Sequence, residues 1–570
     1  MKRFFIFIFS ITEGFCFTFS QSVDQAYLID EKSNELINKT NFISEFETIS
    51  NIKISKHTPQ MLYNLEILCR IWGFFKYYHP AVTAGKYNWD AELFRMIPLM
   101  LDAQDDIARN EILLQWVDKM GTTVVAKKIK RQKNTNIYPD LEWIEEIEVL
   151  GEQLSHRLKI IKNGLRNESF SYYFSLKYGF QNEMHYPAMQ FDDDGLRLLA
   201  LFRYWNMIQY YFPYRHIMDK NWNEIIGEFI PVFLDVSNEH DYKLALMLLI
   251  AQTCDSHATS VYPEFIHKKN VFPYNFSFIE GQMIVTKCLN ERLSISSDLK
   301  IGDIVIGIEH LSIEKIIEEK TPYISASNHA TLLRDLGLNF TETKLVNFHI
   351  IRENDTISTD ITSFPSVFQQ QKKACRLLSS DIGYIYPENF DIETMTEIKI
   401  LFANTKGIII DLRCYPSSYA WDLEQYLLPE PKSYIKFSLP DIEYPGMFRF
   451  TEPKKNPVRK NRDFYKGKII IVVNEYTQSM AETMVMAFQV APYVKVIGSQ
   501  TSGTNGDVLS INLPGNINTQ ISGIGVYYPD NRATQRVGIS IDEEIKPTIR
   551  GIIEGRDELL ERAIYLIENE

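Results

Sequence analysis

The chain has 570 residues, of which 45% are apolar and 23% charged, and its net charge is −13. This length is too great for one hydrophobic core, so several domains are expected. The negative charge, without a large block of Lys and Arg, argues against a nucleic-acid partner. Six cysteines are scattered without C-x-x-C spacing, which favours neither a disulfide framework nor a zinc site.

Residues 1–20 predict a signal peptide for export. A basic start is followed by an apolar stretch from Phe4 to Ile11, and small residues stand three and one positions before a cleavage site ahead of Gln21. A frayed apolar amino terminus is the alternative. Residues 21–57 would form an extension, and no later stretch is long and apolar enough for a membrane span. We therefore expect the protein in the periplasm, at the cell surface or secreted.

An internal repeat lies within residues 58–263. The pairs Trp72 with Trp205 and Trp89 with Trp222 share one offset of 133 positions, and apolar residues at helical spacing follow each copy. The repeat predicts a duplicated all-helical region, in which the aromatic residues serve packing rather than ligand recognition. A further helix is predicted near residues 143–161, between the copies.

Residues 264–365 change to short strands and turns. Strands are predicted at 284–287, within 299–308, and at 346–351 and 356–361. Through the stretch Lys-Ile-Gly-Asp-Ile-Val-Ile-Gly-Ile this segment resembles a PDZ domain. The resemblance implies a small β-rich domain, although the usual glycine-bearing carboxylate loop is not obvious.

From residue 366 to residue 570 strands and helices alternate, which predicts an α/β domain. Within it a continuous apolar strand, Lys468 to Val473, runs through a polar loop directly into a helix. Ser479 stands at the start of that helix, where free backbone N–H groups and the helix dipole favour a developing oxyanion. An ordinary N-cap is the alternative interpretation of Ser479.

The order of several motifs resembles the tail-specific, or carboxyl-terminal-processing, serine peptidase family. These motifs are Gly407–Arg413, Asn474–Glu482, Thr501–Asp507, Tyr528-Pro529-Asp530 and Gly538-Ile539. The resemblance implies a multidomain α+β protein whose catalytic domain has the crotonase/Clp-protease-like fold. It also implies an acyl-enzyme on Ser479, a peptide or unfolded-protein substrate, and no metal or organic cofactor.

The family uses two kinds of base. One branch has a Lys where this chain has Thr504, whereas the tricorn-like branch takes a Ser-His pair from the segment before the PDZ domain. This chain has Ser256-His257 at that place. The resemblance therefore implies that His257 is the general base, since a neutral imidazole can take the proton of Ser479 at physiological pH.

Gln535 stands where the tricorn-like branch has an orienting Glu. An amide can orient the catalytic assembly, with Ser256, but cannot stabilise an imidazolium by charge. Glu482 and Asp507 are the candidates for a compensating carboxylate, and Gln535→Glu is expected to keep or raise activity.

The family resemblance also implies an oxyanion hole that combines the Met480 N–H with one from the loop after Arg413. Since Pro416 has no N–H, Ser417 is the expected second donor.

Two alternatives to a peptidase remain open. One is a catalytically weak or inactive family member that binds a peptide or another ligand, and the other is a PDZ-based scaffold that presents peptides without cutting them. Peptide specificity and oligomeric state do not follow from the sequence.

Overall fold

A computed structural model describes residues 46–121, 134–164, 171–262, 270–290, 294, 297–336, 340–341, 345–365 and 372–569. The predicted signal peptide lies outside these ranges. Within them, no helix combines the length and the apolar character needed to cross a membrane.

The first part of the described chain is mostly helical. Its helices are α1 (Pro59–Tyr78), α2 (Pro80–Thr83), α3 (Trp89–Asp102), α4 (Asp106–Met120), α5 (Ile147–Lys162), α6 (Asp194–Tyr211), α7 (Trp222–Leu234) and α8 (Glu239–Ala251). Its short strands are β1 (Thr135–Ile137), β2 (Phe174–Ser175) and β3 (Gly179–Phe180). Helix α5 confirms the helix predicted near residues 143–161.

The residues that repeat in the sequence make equivalent contacts. The indole N–H of Trp72 donates to the carbonyl of Trp89 at 2.9 Å, and that of Trp89 donates back at 2.9 Å. Trp205 and Trp222 exchange the same two bonds at 2.9 and 3.0 Å. All four rings are buried, so each pair locks two consecutive long helices together, which agrees with the predicted packing role.

The second part is a sheet with two helices. It comprises β4 (Asn270–Val271), β5 (Tyr274–Ile279), β6 (Gln282–Cys288), β7 (Ile304–Ile308), β8 (Leu311–Ser312), α9 (Ile313–Lys320), α10 (His329–Asp335), β9 (Phe340–Thr341), β10 (Leu345–Arg352), β11 (Asp355–Thr362) and β12 (Phe364–Pro365). The antiparallel order is β11-β10-β7-β6-β5. The four strands that the sequence predicts here are confirmed as β6, β7, β10 and β11.

The third part is built on a mostly parallel sheet. Its elements are β13 (Cys375–Ser379), β14 (Ile382–Ile385), α11 (Thr394–Leu401), β15 (Gly407–Asp411), α12 (Leu423–Leu427), β16 (Ser433–Pro440), β17 (Phe448–Phe450), β18 (Lys454–Lys455), β19 (Lys468–Val473), α13 (Met480–Phe488), β20 (Val494–Gly498), β21 (Val508–Leu513), β22 (Ile517–Ser522), β23 (Gly525–Tyr527), β24 (Glu543–Glu544), α14 (Ile549–Ile553) and α15 (Glu558–Asn569).

The strand order of this sheet is β13-β14-β15-β19-β20-β24, and the strands from β14 onward are parallel. Parallel strands covered on both faces are apolar along their whole length, and β15 is buried at every residue. Because these strands run the same way, the loops after β15, β19 and β20 meet at one edge, where sheets of this kind place their ligands.

A hairpin joins the third part to the helices. Strands β21 and β22 pair in an antiparallel manner, and their apolar side chains belong to the same core as the helices. At its turn, Tyr242 of α8 donates to the carbonyl of Pro514 at 2.9 Å, and Arg203 of α6 donates to that of Asn512 at 3.0 Å. The hairpin thereby brings the end of β22 to the segment that follows α8. The described chain is thus a mixed helix and sheet protein of several parts.

Candidate active site

Ser479 occupies a sharp turn between β19 and α13. Its backbone has φ 56° and ψ −116°, a region that costs a residue with a side chain of order 1–3 kcal/mol and is found at functional sites. The side chain makes no capping hydrogen bond to the helix, so the ordinary N-cap interpretation is wrong. The turn instead holds a half-buried hydroxyl at the carboxyl edge of the parallel sheet.

Glu482 stabilises this turn through hydrogen bonds of its fully buried side chain. Its carboxyl accepts from the Thr501 hydroxyl at 2.6 Å and from the N–H groups of Gly503 and Thr504 at 2.9 and 3.1 Å. Burial raises the pKa of Glu482 to about 7, although these hydrogen bonds oppose the rise. The Thr504 carbonyl in turn accepts from the Ser479 N–H at 2.9 Å. Glu482 therefore has a structural task and is not the compensating carboxylate considered above.

His257 lies on the segment after α8 and is only 8% exposed. The carbonyl of its neighbour Ser256 accepts from the side chain of Gln478 at 3.3 Å, so the residues just before His257 and just before Ser479 are in contact. The Nδ1 atom lies 2.8 Å from the Ser522 hydroxyl. Among the described residues, its buried Nε2 has no hydrogen-bond partner.

Two carboxylates influence His257. Burial lowers the pKa of its imidazole, while the negative charges of Asp255 and Asp507 act in the opposite direction. Burial is the larger effect, so the neutral form that a base requires is favoured. Asp507 thus acts on the imidazole, although no hydrogen bond joins the two.

The hydrogen bonds of the Ser256 hydroxyl go to residues other than His257. This hydroxyl donates to Thr331 at 3.3 Å and accepts from the Ser327 N–H at 2.8 Å. Ser256 was expected to help orient the catalytic assembly, but the hydroxyl bonded to the imidazole is that of Ser522. Through its bonds to Ser327, Ser256 instead connects the segment that carries His257 to the loop before α10.

Gln535 is 2% exposed and lies at the same site. Its Nε2 is 3.4 Å from the carboxylate of Asp255, a long hydrogen bond, and its Oε1 is buried without a partner in the described structure. The hydrogen bond of the Gln535 amide therefore goes to a carboxylate.

The oxyanion hole agrees only in part with the expectation. Met480 provides the first N–H of α13, which has no partner within a helix. The Ser417 N–H, however, donates to the carbonyl of Pro387 at 2.9 Å, so its predicted role is corrected. The Thr477 hydroxyl donates to the Leu412 carbonyl at 2.7 Å, which holds the loop after β15 against the nucleophile turn.

A Lys base is disfavoured by the position of Lys495. Its ammonium pairs with Glu543 at 3.0 Å, on the sheet itself. At the place where a Lys branch would have its base, the Thr504 hydroxyl bonds that of Ser327.

Three contributors to the site were missed by the sequence. Asp255 and Ser522 surround the base, and Asn328 donates to the carbonyls of Thr501 and Ser502 at 2.9 and 3.0 Å. Asp255 stands two positions before His257 in the sequence, and this nearness could have indicated its role. Ser522 and Asn328 belong to a strand end and a helix cap that carry no recognisable motif.

Comparisons with known proteins concern the part of the chain that holds Ser479. The model of peptidase family S41 matches residues 381–545, the range that holds β14 to β24, Ser479 and Gln535. No curated protein matches the sequence.

Solved structures with the same fold include mature CPAF in complex with lactacystin, at 13% identity and a TM-score of 0.51, covering 66% of this chain and 99% of that chain. Mature CPAF alone gives the same identity and TM-score, with 66% and 98% coverage. At these identities the likeness concerns the fold alone. A weaker match is the photosystem II D1 C-terminal processing protease, at 12% identity and a TM-score of 0.37, covering 64% of this chain and 98% of that chain.

The family match covers the strand, turn and helix that position Ser479. It covers as well the loop that Glu482 holds in place. Over residues 381–545 the chain is therefore similar to peptidase family S41, the family whose model matches there.

Proposed function

We propose that this protein hydrolyses peptide bonds in exported proteins or peptides through an acyl-enzyme on Ser479, with His257 as the general base. The observation that carries the proposal is the buried Nε2 of His257, which has no hydrogen-bond partner among the residues that the structure describes, on a segment hydrogen-bonded to the residue before a strained Ser479. A serine hydroxyl is a poor nucleophile until a base takes its proton, and Nε2 is an acceptor with no other use.

The oxyanion of the tetrahedral intermediate would accept from the Met480 N–H. The second donor would come from the loop between Arg413 and Ser417, which the Thr477–Leu412 bond holds beside the turn. Arg413 and Ser417 use their own N–H groups within the protein, and Pro416 has none. Cys414 and Tyr415 are therefore the donors to consider.

The proposal extends to the other parts of the chain. We take the helical part as a duplicated unit whose second copy delivers His257, and the sheet β5–β11 as a PDZ-like module that meets the substrate. Residues 1–20 act as the export signal. Amino-terminal sequencing of the secreted or periplasmic protein, with Gln21 as the expected first residue, tests export.

A fluorophosphonate probe tests the chemistry, because it reacts only with a serine hydroxyl activated by a base. The wild-type protein should be labelled on Ser479, Ser479→Ala should not be labelled, and His257→Ala should react at least a hundredfold more slowly. Ser510→Ala and His240→Ala, which change an exposed serine and an exposed histidine, are the matched controls. Absence of labelling in the wild type would favour the ligand-binding alternative.

A further inference from the structure

We propose that Asp255 and Ser522 are the positioning residues of the catalytic base, taking the place expected for Gln535 and Ser256. The inference rests on the proposed function, since it assigns the partners of His257 in that reaction. It also explains how a member of this fold with Gln535 can retain a fully supported base.

The hydrogen bonds of Ser522 determine the tautomer of His257. Its hydroxyl donates to Asp255 Oδ1 at 2.9 Å, since a carboxylate can only accept. A hydroxyl has one hydrogen, so the 2.8 Å contact with His257 must be a bond from the ring Nδ1–H to the Ser522 oxygen. Nδ1 therefore carries the proton, and the lone pair lies on Nε2, the buried atom that has no partner in the described part of the chain.

Asp255 is held as a rigid carboxylate with 0% exposure. Its Oδ2 accepts from the Ser522 N–H at 2.7 Å, and its Oδ1 accepts from the His257 N–H at 3.2 Å in addition to the Ser522 hydroxyl. Gln535 adds an amide donor at 3.4 Å. Donors therefore surround this carboxylate, and its negative charge raises the pKa of His257 against the effect of burial.

The reaction step balances on these groups. As the Ser479 oxygen forms its bond to the peptide carbonyl carbon, its O–H bond breaks and the proton passes to Nε2 of His257. The imidazolium keeps its Nδ1–H on the Ser522 oxygen, and its charge is opposed by that of Asp255. The same proton then moves from Nε2 to the nitrogen of the leaving amine as the peptide C–N bond breaks.

The acid limb of the pH–rate profile reports the pKa of His257. Replacing a residue with a purely structural role would leave that limb where it is. The groups that act on His257 are Asp255 on its own segment and Asp507 before β21, and Lys454 acts in turn on Asp507. Because the charge of Asp255 opposes the effect of burial, its removal should lower the pKa of His257 further. The limb should therefore move to lower pH.

We would test this with Asp255→Asn and Ser522→Ala in the full chain, measuring peptide hydrolysis and fluorophosphonate labelling from pH 4 to 9. Asp255→Asn keeps an acceptor for the Ser522 hydroxyl at Oδ1, but it removes the charge and places an NH2 group where Oδ2 accepts from the Ser522 N–H. We expect its plateau rate to fall roughly a hundredfold or more and its acid limb to shift to lower pH. Ser522→Ala should lower the plateau to a similar extent. Asp219→Asn, an exposed carboxylate near the same segment, is the control and should retain the wild-type plateau.

An unchanged plateau and limb in Asp255→Asn, with normal labelling of the wild type, would overturn this inference and leave the proposed function intact. Failure of the wild type to label would instead remove the proposed function itself. If the variants do not fold, nitrogen-15 NMR of the wild-type histidines decides, with His257 assigned by its loss in His257→Ala. We expect the Nδ1–H tautomer, and an Nε2–H tautomer would refute the proposal.

Discussion

Gln535 and Asp255 meet in a space that solvent hardly reaches, with 2% and 0% exposure. The amide nitrogen of Gln535 lies 3.4 Å from the carboxylate of Asp255. As a donor it is attracted to that carboxylate, whereas the amide oxygen would be repelled. Had this position held a Glu, two carboxylates would share one buried site, which forces one of them to take a proton at neutral pH. The amide is thus matched to Asp255, and the expectation that Gln535→Glu keeps or raises activity is reversed.

Gln535→Glu should lower kcat/KM at pH 7 by roughly tenfold or more, because the new charge repels Asp255. The folded state should raise the pKa of the new carboxyl, so its stabilising effect is present at low pH and is lost as the pH rises through that pKa. The free energy of unfolding, measured with urea at pH 5 and pH 7, should therefore drop more between these values than in the wild type. Gln520→Glu, at a half-buried position on β22, is the control. Wild-type activity at pH 7 would contradict the assignment of Asp255.

The strand, loop and helix around Ser479 were predictable from local sequence. The catalytic roles of Ser479 and His257 were predicted through the family resemblance and not from the spacing alone, and they stay predictions. The partners of His257 were not predictable, because Ser522 approaches from 265 positions away in the sequence. Its contact depends on how the β21–β22 hairpin packs against α8, which no local pattern records.

At the scale of elements, the loop before α10 connects the second part of the structure to both halves of the site. The Ser327 hydroxyl and N–H bond Ser256 on the base side, and Asn328 bonds the segment after β20 on the nucleophile side. Arg334 of α10 adds a bond to the Glu475 carbonyl at 2.6 Å. We therefore expect a displacement of α10 to move the residues of the nucleophile turn.

Asn328→Asp separates this connection from the stability of α10. Aspartate retains the N-cap of the helix, since the bond from the Thr331 N–H needs only an acceptor. It loses the donor to the carbonyls of Thr501 and Ser502 and places a charge against them. We expect kcat to fall by about tenfold with a small change in KM, and faster hydrogen exchange over residues 501–504.

The control is Ser312→Asp, which exchanges the N-cap residue of α9 for another good cap. It should leave kcat and exchange over residues 501–504 unchanged. Should Asn328→Asp retain the wild-type kcat, α10 and the site are not coupled through this side chain.

At the scale of the whole molecule, the three parts are bound by shared core and shared strands. The apolar side of the β21–β22 hairpin packs with the helices: Ile511, Leu513 and Ile521 have 0% exposure. Strand β1, from the segment between the helical copies, pairs with β17 of the third part. The order of helices, antiparallel sheet and parallel sheet was predictable from periodicity, whereas this interlocking was not, because it joins residues far apart in the chain.

A chain that begins at residue 372 keeps Ser479 and loses His257. We expect it to expose the hairpin and to aggregate or bind a hydrophobic dye, since an uncovered apolar patch of this kind is not stable in water. Gel filtration, dye fluorescence and fluorophosphonate labelling measure the outcome. A monodisperse fragment labelled at the wild-type rate would show that neither the helical part nor its histidine is needed.

The long separations within the site have a consequence for biosynthesis. His257 is synthesised first. Ser479 follows 222 positions later, the same separation as that between Ser256 and Gln478. Ser522 comes later still, 265 positions after His257. On the proposed function, an unfinished chain therefore lacks a complete hydrolytic site until β22 has been made, however much of its helical part has already folded.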